Sequence, residues 1–378
     1  MSPSPRIVLA SRRSVEEKVW QASQLEFEDV IAQVDEVAWC LPRPLAGGTA
    51  GHLAHGVLNR AGRPLGRDRR AKMRPPATAG SEDGAELFFA VFADANEIGM
   101  LPHVRGTAER SGARVAWIVE LWTPQLAQAS DYLRQLRDFD HVIVSNRAVV
   151  GAVAAISGVP CSYLPLAIDT DRYAPLGSGA PARTVDVASW GRRFQGTHGP
   201  LVQAMADHEL HYHFDTVHGP WSVTDHAEHR LAQARLLQRT RYSIVYRIND
   251  EPGRIDRTGG EESLTNRYFE ALAAGTIMLG SAPDSVEWDD CFPWADAVVP
   301  IPAPAPGIVS IITELDRDPD RLERARAAAV TTFLRRHDWA HRWREVLALV
   351  DMEPHPRLAE RVHHLGTRLA GWETSVRS

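Results

Sequence analysis

The chain has 378 residues, of which 44% are hydrophobic and 24% are charged, as in an ordinary globular protein. This length exceeds the roughly 250–300 residues at which a single hydrophobic core stops growing, so the sequence predicts two domains. The formal net charge of -6 argues against a general nucleic-acid binder, and we expect no nucleic acid among the partners.

The cysteines and the apolar segments bear on the cellular compartment. Cys40, Cys161 and Cys291 lie far apart, which favours reduced thiols over a disulfide framework or a zinc site. No stretch approaches the ~18 consecutive apolar residues of a transmembrane helix, and the N-terminus lacks the apolar segment of a signal peptide. These features predict a cytoplasmic protein.

Short apolar strands alternate with helical patterns in the first half of the chain. Ser14 and Glu17 have the spacing of a capping box before a helix through Val34, and further helices are predicted at 126–136 and up to Ser157. The predicted strands are 6–11, 37–41, 87–92, 115–119 and 141–145. This alternation is typical of βαβ units and a parallel sheet.

An arginine-rich segment at 60–74 interrupts this alternation. Such a segment is usually a solvated loop. Two alternatives stay open: the loop binds an acidic acceptor, or it makes peripheral contact with an anionic membrane surface.

A Gly- and Pro-rich linker near 170–183 precedes a second alternation, with strands at 185–190, 243–246 and 276–279. Helices are predicted at 321–334 and again from residue 338 onward. His211, His213 and His218 alternate, but no cysteine or carboxylate set completes a metal geometry, so a strand with outward histidines is the better interpretation.

The alternation predicts an α/β protein with three parts. Residues 1–170 form one open α/β domain, residues 184–337 form a second, and residues 338–378 are C-terminal helices. Open parallel sheets bind ligands beyond the carboxyl ends of their strands, so we expect an interdomain cleft to hold the ligand.

The segment from Glu262 to Gly275 has the strongest chemical pattern in the chain. Ser263 or Thr265 is a candidate cap for a helix from about Asn266 to Ala274, which Gly275 then ends. The start of such a helix offers free backbone N–H groups to a phosphate. Arg267 lies in the first turn, where the helix dipole disfavours a cation, so it is a candidate partner for an anion.

Two carboxylates flank this helix start. Glu262 lies just before the helix, and Glu270 lies two turns further on. A carboxylate can accept two hydrogen bonds and suits a pair of sugar hydroxyls.

The spacing Glu262-x7-Glu270, followed by Ala-Leu-Ala-Ala-Gly and a strand, resembles the signature of retaining glycosyltransferases of the GT-B type. The run Ser263-Leu264-Thr265-Asn266-Arg267-Tyr-Phe-Glu270 looks especially like the C-terminal domain of the CgeB-like glycosyl transferases group 1. Three other segments are similar to this family: Ser189-Trp-Gly191-Arg192-Arg193 with His198, Pro165-Leu-Ala-Ile-Asp169, and Asp338-Trp-Ala-His-Arg342.

The resemblance implies a GT-B fold with two Rossmann-like α/β domains and a C-terminal helix that crosses back onto the N-terminal domain. It implies that the N-terminal domain faces the acceptor and that residues 184–337 bind a nucleotide-sugar donor. Glu270 would hold the ribose and Glu262 the donor hexose. The resemblance also implies that no metal and no cofactor is required.

Phosphate binding departs from the family pattern. Gly191 and Arg192 match the Gly-Arg loop that binds the pyrophosphate, but the usual lysine is absent, and Thr197 or His198 stands about where it would fall. Arg193, Arg247 or Arg267 are candidates for the missing charge. The Gly-rich loop after the first strand is also missing.

On the acceptor side, Glu120 follows a strand at the position where relatives place a histidine. It is a candidate base or acceptor-positioning group. A buried structural carboxylate is an equal alternative.

The predicted function is metal-independent transfer of a sugar, with retention, from a nucleoside-diphosphate-sugar. The acceptor is unidentified: a saccharide, a lipid-linked glycan or a natural product. Two alternatives remain open, a catalytically silent nucleotide-binding or scaffold protein and a sugar-nucleotide epimerase or phosphorylase of the same architecture.

Overall fold

A computed structural model describes residues 5–13, 19–41, 84–175, 181–215, 223 and 225–377. The chain divides into two compact units. The first comprises Met1–Leu164 with Val346–His355, and the second comprises Pro165–Glu345 with Pro356–Ser378. The predicted capping box at Ser14, the basic segment 60–74 and His218 lie outside the described residues.

The first unit is built on a six-stranded sheet in which every pairing is parallel. The strand order is β2-β1-β3-β4-β5-β6. The strands are β1 Ile7–Ala10, β2 Val37–Cys40, β3 Leu87–Asp94, β4 Ala113–Glu120, β5 His141–Val144 and β6 Cys161–Tyr163. Near-continuous apolar runs such as that of β3 are what a sheet buried on both faces requires.

Among the described residues of this unit, four α-helices alternate with the strands, in keeping with the predicted βαβ alternation. They are α1 Ala22–Val34, α2 Leu101–Arg110, α3 Leu126–Leu133 and α4 Val150–Ser157. The core around them includes edge-to-face aromatic packing, in which the ring of Phe27 lies 5.2 Å from that of Trp117.

The second unit has a five-stranded parallel sheet with the order β11-β10-β9-β7-β8. Its strands are β7 Val185–Ser189, β8 Tyr212–Phe214, β9 Thr240–Val245, β10 Ile277–Gly280 and β11 Val299–Pro300. Both sheets follow the same doubly wound order, and the first has one additional strand. In the second sheet the order reverses between β7 and β9, and such switch points are where open α/β sheets bind ligands.

The remaining helices follow the second alternation. They are α5 Thr170–Tyr173, α6 Gln195–Ala206, α7 His226–Gln238, α8 Ile255–Thr258, α9 Asn266–Ala273, α10 Val286–Cys291, α11 Ile308–Leu315, α12 Pro319–Arg336, α13 Trp339–Ala348 and α14 Pro356–Arg377. Helix α14 packs on α12 of the same unit. The predicted domain boundaries, and the packing of the C-terminal helices on the N-terminal domain, stay predictions.

Among the described residues, no helix has both the length and the apolar character needed to cross a bilayer.

Candidate functional site

The candidate site lies at the carboxyl-terminal edge of the second sheet. Strands β7 and β9 are neighbours there, with Ala188 opposite Ser243. The loops that follow these two strands carry predicted site residues, namely Gly191, Arg192 and Arg193 after β7 and Arg247 after β9. The start of α9 reaches the same edge, because Arg267 contacts the loop after β7.

Helix α9 confirms the predicted helix and its C-terminal glycine. Gly275 has a φ of 64°, and a Cβ there would lie 2.9 Å from the Arg326 side chain, so the position favours glycine. Thr265 is the N-cap residue, but its side chain makes no cap hydrogen bond. Its Oγ1 is buried and has no partner among the described residues, so the expected side-chain cap is absent.

Arg192 and Arg267 form a pair of like charges at this edge. Arg267 Nη1 donates to the Trp190 carbonyl oxygen at 3.3 Å. The same nitrogen lies 3.6 Å from where a Cβ would stand on Gly191, whose φ of 72° favours glycine. Arg192 Nε is buried and has no hydrogen-bond partner in the described part of the chain. Within that same part, no carboxylate forms a salt bridge with either guanidinium.

The electrostatics agree with this geometry. Burial, together with the charge of Arg267, lowers the pKa of Arg192 to about 9, and the charge of Glu251 opposes this shift. Burial likewise lowers the pKa of Arg267. Each cation is therefore disfavoured in the fold as it stands, and a bound anion would relieve both.

Gly191 and Arg193 differ from Arg192, because both are bonded to Asp215. The Gly191 backbone N–H donates to the Asp215 carboxylate at 3.1 and 3.2 Å. Arg193 forms an ion pair with the same carboxylate. Its guanidinium also lies 5.6 Å from the centre of the Phe214 ring. The loop after β7 thus holds one arginine neutralised by a salt bridge and one that forms no salt bridge within the described residues.

Glu262 has one occupied and one unoccupied carboxylate oxygen. Its Oε1 accepts from Asn249 Nδ2 at 3.2 Å and lies 3.9 Å from Arg247 Nη1. Its Oε2 is buried without a partner among the described residues. Burial raises the pKa of Glu262, and the hydrogen bond from Asn249 opposes that shift. A buried carboxylate oxygen without a donor is suited to accept a ligand hydroxyl.

Arg247 is tied to the loop in which it lies. Its Nη2 and Nε donate to Asp250 Oδ1 at 2.8 and 3.1 Å. Its backbone N–H donates to Asp250 and to Ser281 Oγ at 3.1 and 3.0 Å. The hydrogen bond to Asp250 raises the pKa of Arg247. Because this arginine already has a carboxylate partner, it supplies less uncompensated charge than Arg192 or Arg267.

Glu270 is also neutralised within the protein. It is 4% exposed and forms an ion pair with Arg230 of α7. Gln233 Nε2 donates to its second oxygen at 3.0 Å, and Tyr173 Oη donates to Gln233 at 3.0 Å. This network joins α5, α7 and α9. Its effect is to hold Glu270 in place, and the role of this residue in binding ribose stays a prediction.

The remaining predicted residues are His198, Ser263, Leu264 and Asn266 in the second unit and Glu120 in the first. His198, on α6, bonds through Nδ1 to Tyr212 Oη at 3.0 Å, and burial lowers its pKa. Leu264 is buried, whereas Ser263 and Asn266 are half-buried. Glu120 belongs to the first unit, where it ends β4 and accepts from Trp122 Nε1 at 3.0 Å. Their roles in donor or acceptor binding stay predictions.

The sequence did not reveal the partners that neutralise the site. Arg230 and Asp215 lie 40 and 22 residues from Glu270 and Arg193 in the chain. Such distant pairings leave no local pattern. Asp250 is an exception, because it lies only three residues after Arg247, and this spacing could have predicted their ion pair. Within the described ranges, no group of His, Cys, Asp and Glu residues is arranged to hold a metal ion.

Comparison with known proteins gives a family match to the part of the chain that holds this site. Residues 192–348 match the model of a family described as glycosyl transferase-like, and this range includes α9, Glu262 and Arg192. No curated protein matches the chain. The resemblance to glycosyltransferases is therefore confirmed over residues 192–348.

Solved structures match nearly the whole chain at low sequence identity. HepE from Anabaena, in complex with UDP and glucose, is 11% identical with a TM-score of 0.52, over 92% of this chain and 99% of its own. An alpha-glucosyltransferase in complex with UDP-glucose and DNA containing an abasic site is 11% identical with a TM-score of 0.54, over 92% and 100%. The predicted GT-B fold, with two Rossmann-like domains, is confirmed.

Proposed function

We propose that this protein transfers a sugar from a nucleoside-diphosphate-sugar to an acceptor. The chain has the GT-B fold, and its residues 192–348 match a glycosyl transferase-like family. One observation carries the proposal. Arg192 and Arg267 lie together at the switch point of the second sheet without a carboxylate partner among the described residues. Two such cations, one in the loop after β7 and one in the first turn of α9, suit a diphosphate.

The two arginines would act on the leaving group. As the bond between the sugar and the diphosphate breaks, negative charge grows on the diphosphate oxygens. Guanidinium groups already in position stabilise that charge without having to reorganise. We include metal-independent transfer in the proposal on this ground, since the arginines supply the positive charge that departure of the nucleotide needs.

Glu262 would bind the sugar itself. Its Oε2 is buried and has no hydrogen-bond donor among the described residues, so it has the capacity to accept a hydrogen bond from a hydroxyl of the transferred sugar. A carboxylate beside the sugar also favours the positive charge of an oxocarbenium-like transition state. The proposal of retention follows the Glu262-x7-Glu270 resemblance.

UDP-glucose is the first donor to test, because HepE and the alpha-glucosyltransferase were solved with it. The purified chain should be incubated with UDP-, GDP-, ADP- and TDP-sugars, and release of free sugar or nucleotide followed by mass spectrometry. We expect slow hydrolysis of at least one donor. Glu262→Gln should abolish it while the protein stays folded.

The matched control is Glu314→Gln, since Glu314 is an exposed carboxylate of α11, with its side chain 71% exposed in a surface ion pair. This variant should hydrolyse the donor as the wild type does. Hydrolysis that persists in Glu262→Gln would remove Glu262 from the proposed site.

A nucleotide-binding protein without transferase activity is the second candidate. It is favoured by Asp215, whose carboxylate already occupies the Gly191 N–H and Arg193. The usual lysine of the family is absent as well. A chain that binds a nucleoside diphosphate with unchanged affinity in Glu262→Gln, and releases no sugar from any donor, would support this candidate.

A further inference from the structure

The loop between β9 and α9 contains a side chain whose contacts converge on Glu262. Asn249 follows β9 at the switch point and is half-buried. Its Nδ2 donates to the Glu261 carbonyl oxygen at 2.9 Å and to Glu262 Oε1 at 3.2 Å. Its Oδ1 accepts from Thr258 Oγ1 at 2.6 Å. One amide therefore joins both ends of the segment 249–262.

The chemistry of the partners fixes the orientation of this amide. A carbonyl oxygen and a carboxylate oxygen can only accept, so the amide nitrogen must face Glu261 and Glu262. Thr258 completes the arrangement, because its hydroxyl donates to Asn249 Oδ1 and accepts from the Gly260 N–H at 3.2 Å. The amide nitrogen of Asn249 thus faces two acceptors, and its amide oxygen faces a donor.

The contacts of Asn249 also distinguish the two oxygens of the Glu262 carboxylate. The amide occupies Oε1, with Arg247 at 3.9 Å from the same oxygen. Oε2 is left buried without a partner among the described residues. Because the hydrogen bond to Oε1 limits rotation of the carboxylate, the orientation of Oε2 is fixed as well.

We infer that Asn249 is a positioning residue, which aims the free oxygen of Glu262 at a hydroxyl of the donor sugar. The inference rests on the proposed function and adds to it a residue specific for the sugar part of the donor. It predicts that Asn249 affects binding of the sugar and leaves binding of the nucleoside diphosphate unchanged.

The test compares UDP with UDP-glucose, or the same pair with whichever base the donor panel selects. Calorimetric titration gives both affinities for wild type, Asn249→Ala and Asn249→Asp. Losing a hydrogen bond to a charged group should weaken UDP-glucose binding about tenfold in Asn249→Ala. The loss should be larger in Asn249→Asp, where a second carboxylate faces Glu262. UDP binding should stay within about twofold.

A double-mutant cycle separates positioning from a general structural role. If Asn249 acts through Glu262, then Asn249→Ala should add little to the loss already caused by Glu262→Gln. Additive losses would overturn the inference. So would an equal loss of UDP and UDP-glucose affinity, because that pattern means that the loop itself has been disrupted.

A control variant and the wild type together keep the outcomes distinguishable. Asn146→Asp changes another well-bonded asparagine, which follows β5 in the first unit and donates to the Leu121 carbonyl at 3.0 Å. It should leave both affinities unchanged. If the wild type binds UDP-glucose and Asn249→Asp binds it with the same affinity, only the inference is overturned. If the wild type binds no nucleotide-sugar, both the proposed function and the inference are overturned.

Discussion

The two parallel sheets share a strand order, but the arginines at their carboxyl-terminal edges differ in how they are paired. After β1, Arg13 bonds to Glu28 at 2.9 Å and to Asp29 at 2.8 Å, and Arg12 lies 3.5 Å from Glu97. After β7, Arg192 has no carboxylate partner among the described residues. A self-neutralised edge stabilises its own fold, whereas a buried cation without a salt bridge would be stabilised by a bound anion.

Matched Arg→Met substitutions give the largest expected difference between the two edges. Arg13→Met leaves Glu28 fully buried without its cation and should cost about 3–5 kcal/mol of stability. Arg192→Met removes a charge that burial disfavours, and stability should change by less than about 1 kcal/mol. Urea denaturation followed by tryptophan fluorescence measures both, and equal losses would erase the distinction between the edges.

A pH titration tests the first edge through Glu97. This carboxylate accepts from the Ala93 N–H at 2.7 Å and from Gln21 at 3.2 Å. Burial raises its pKa from 4.5 to about 7, although the charge of Arg12 opposes the shift, and Asp94 and Glu28 also raise it. Because the folded pKa is raised, the stability that Glu97 contributes is complete below pH 4.5 and is lost as the pH rises through 7.

The expected loss between pH 4.5 and pH 8 is about 3 kcal/mol. Glu97→Gln cannot ionise, so the stability difference between wild type and this variant should change with pH by that amount. Urea midpoints at pH 5 and pH 8 measure the change. A difference that stays constant with pH would show that Glu97 titrates normally.

The smallest expected effect concerns two of the helix N-cap residues of the second unit, Ser285 and Thr265. Ser285 caps α10 by accepting from the Trp288 N–H, so Ser285→Ala should cost about 1 kcal/mol. Thr265 makes no such bond, so Thr265→Ala should cost less than about 0.5 kcal/mol. Thermal melting compares the two. Equal losses of stability would mean that the Thr265 hydroxyl already makes a stabilising hydrogen bond in the fold and is not available to a ligand.

Local patterns predicted the elements of the site, and distant pairings decided its charges. The apolar run before Gly275 and the strand after it were enough to predict α9, because a helix end depends on neighbouring residues. The edge strands β6 and β11, with three and two residues, were not predicted. Such short strands form by pairing with a neighbour and show little periodicity of their own.

The same reasoning explains which predicted site residues come together in the fold and which of their partners the sequence did not reveal. Gly191, Arg192 and Arg267 come together as their positions at strand and helix ends suggest. No pattern around Glu270 indicates that Arg230 will neutralise it, and none around Arg193 indicates Asp215. A sequence therefore shows which cations lie at an edge, but the fold determines which of them stay unpaired.

Calorimetric titration of the intact chain with UDP, GDP, ADP and TDP tests the central claim most directly. We expect at least one nucleoside diphosphate to bind, and the Arg192→Ala/Arg267→Ala double variant to bind it about a hundredfold more weakly. Arg317→Ala, which removes an exposed arginine from a surface ion pair, should bind as the wild type does. A wild type that binds none of the four, or a double variant that binds as tightly as the wild type, would contradict the account.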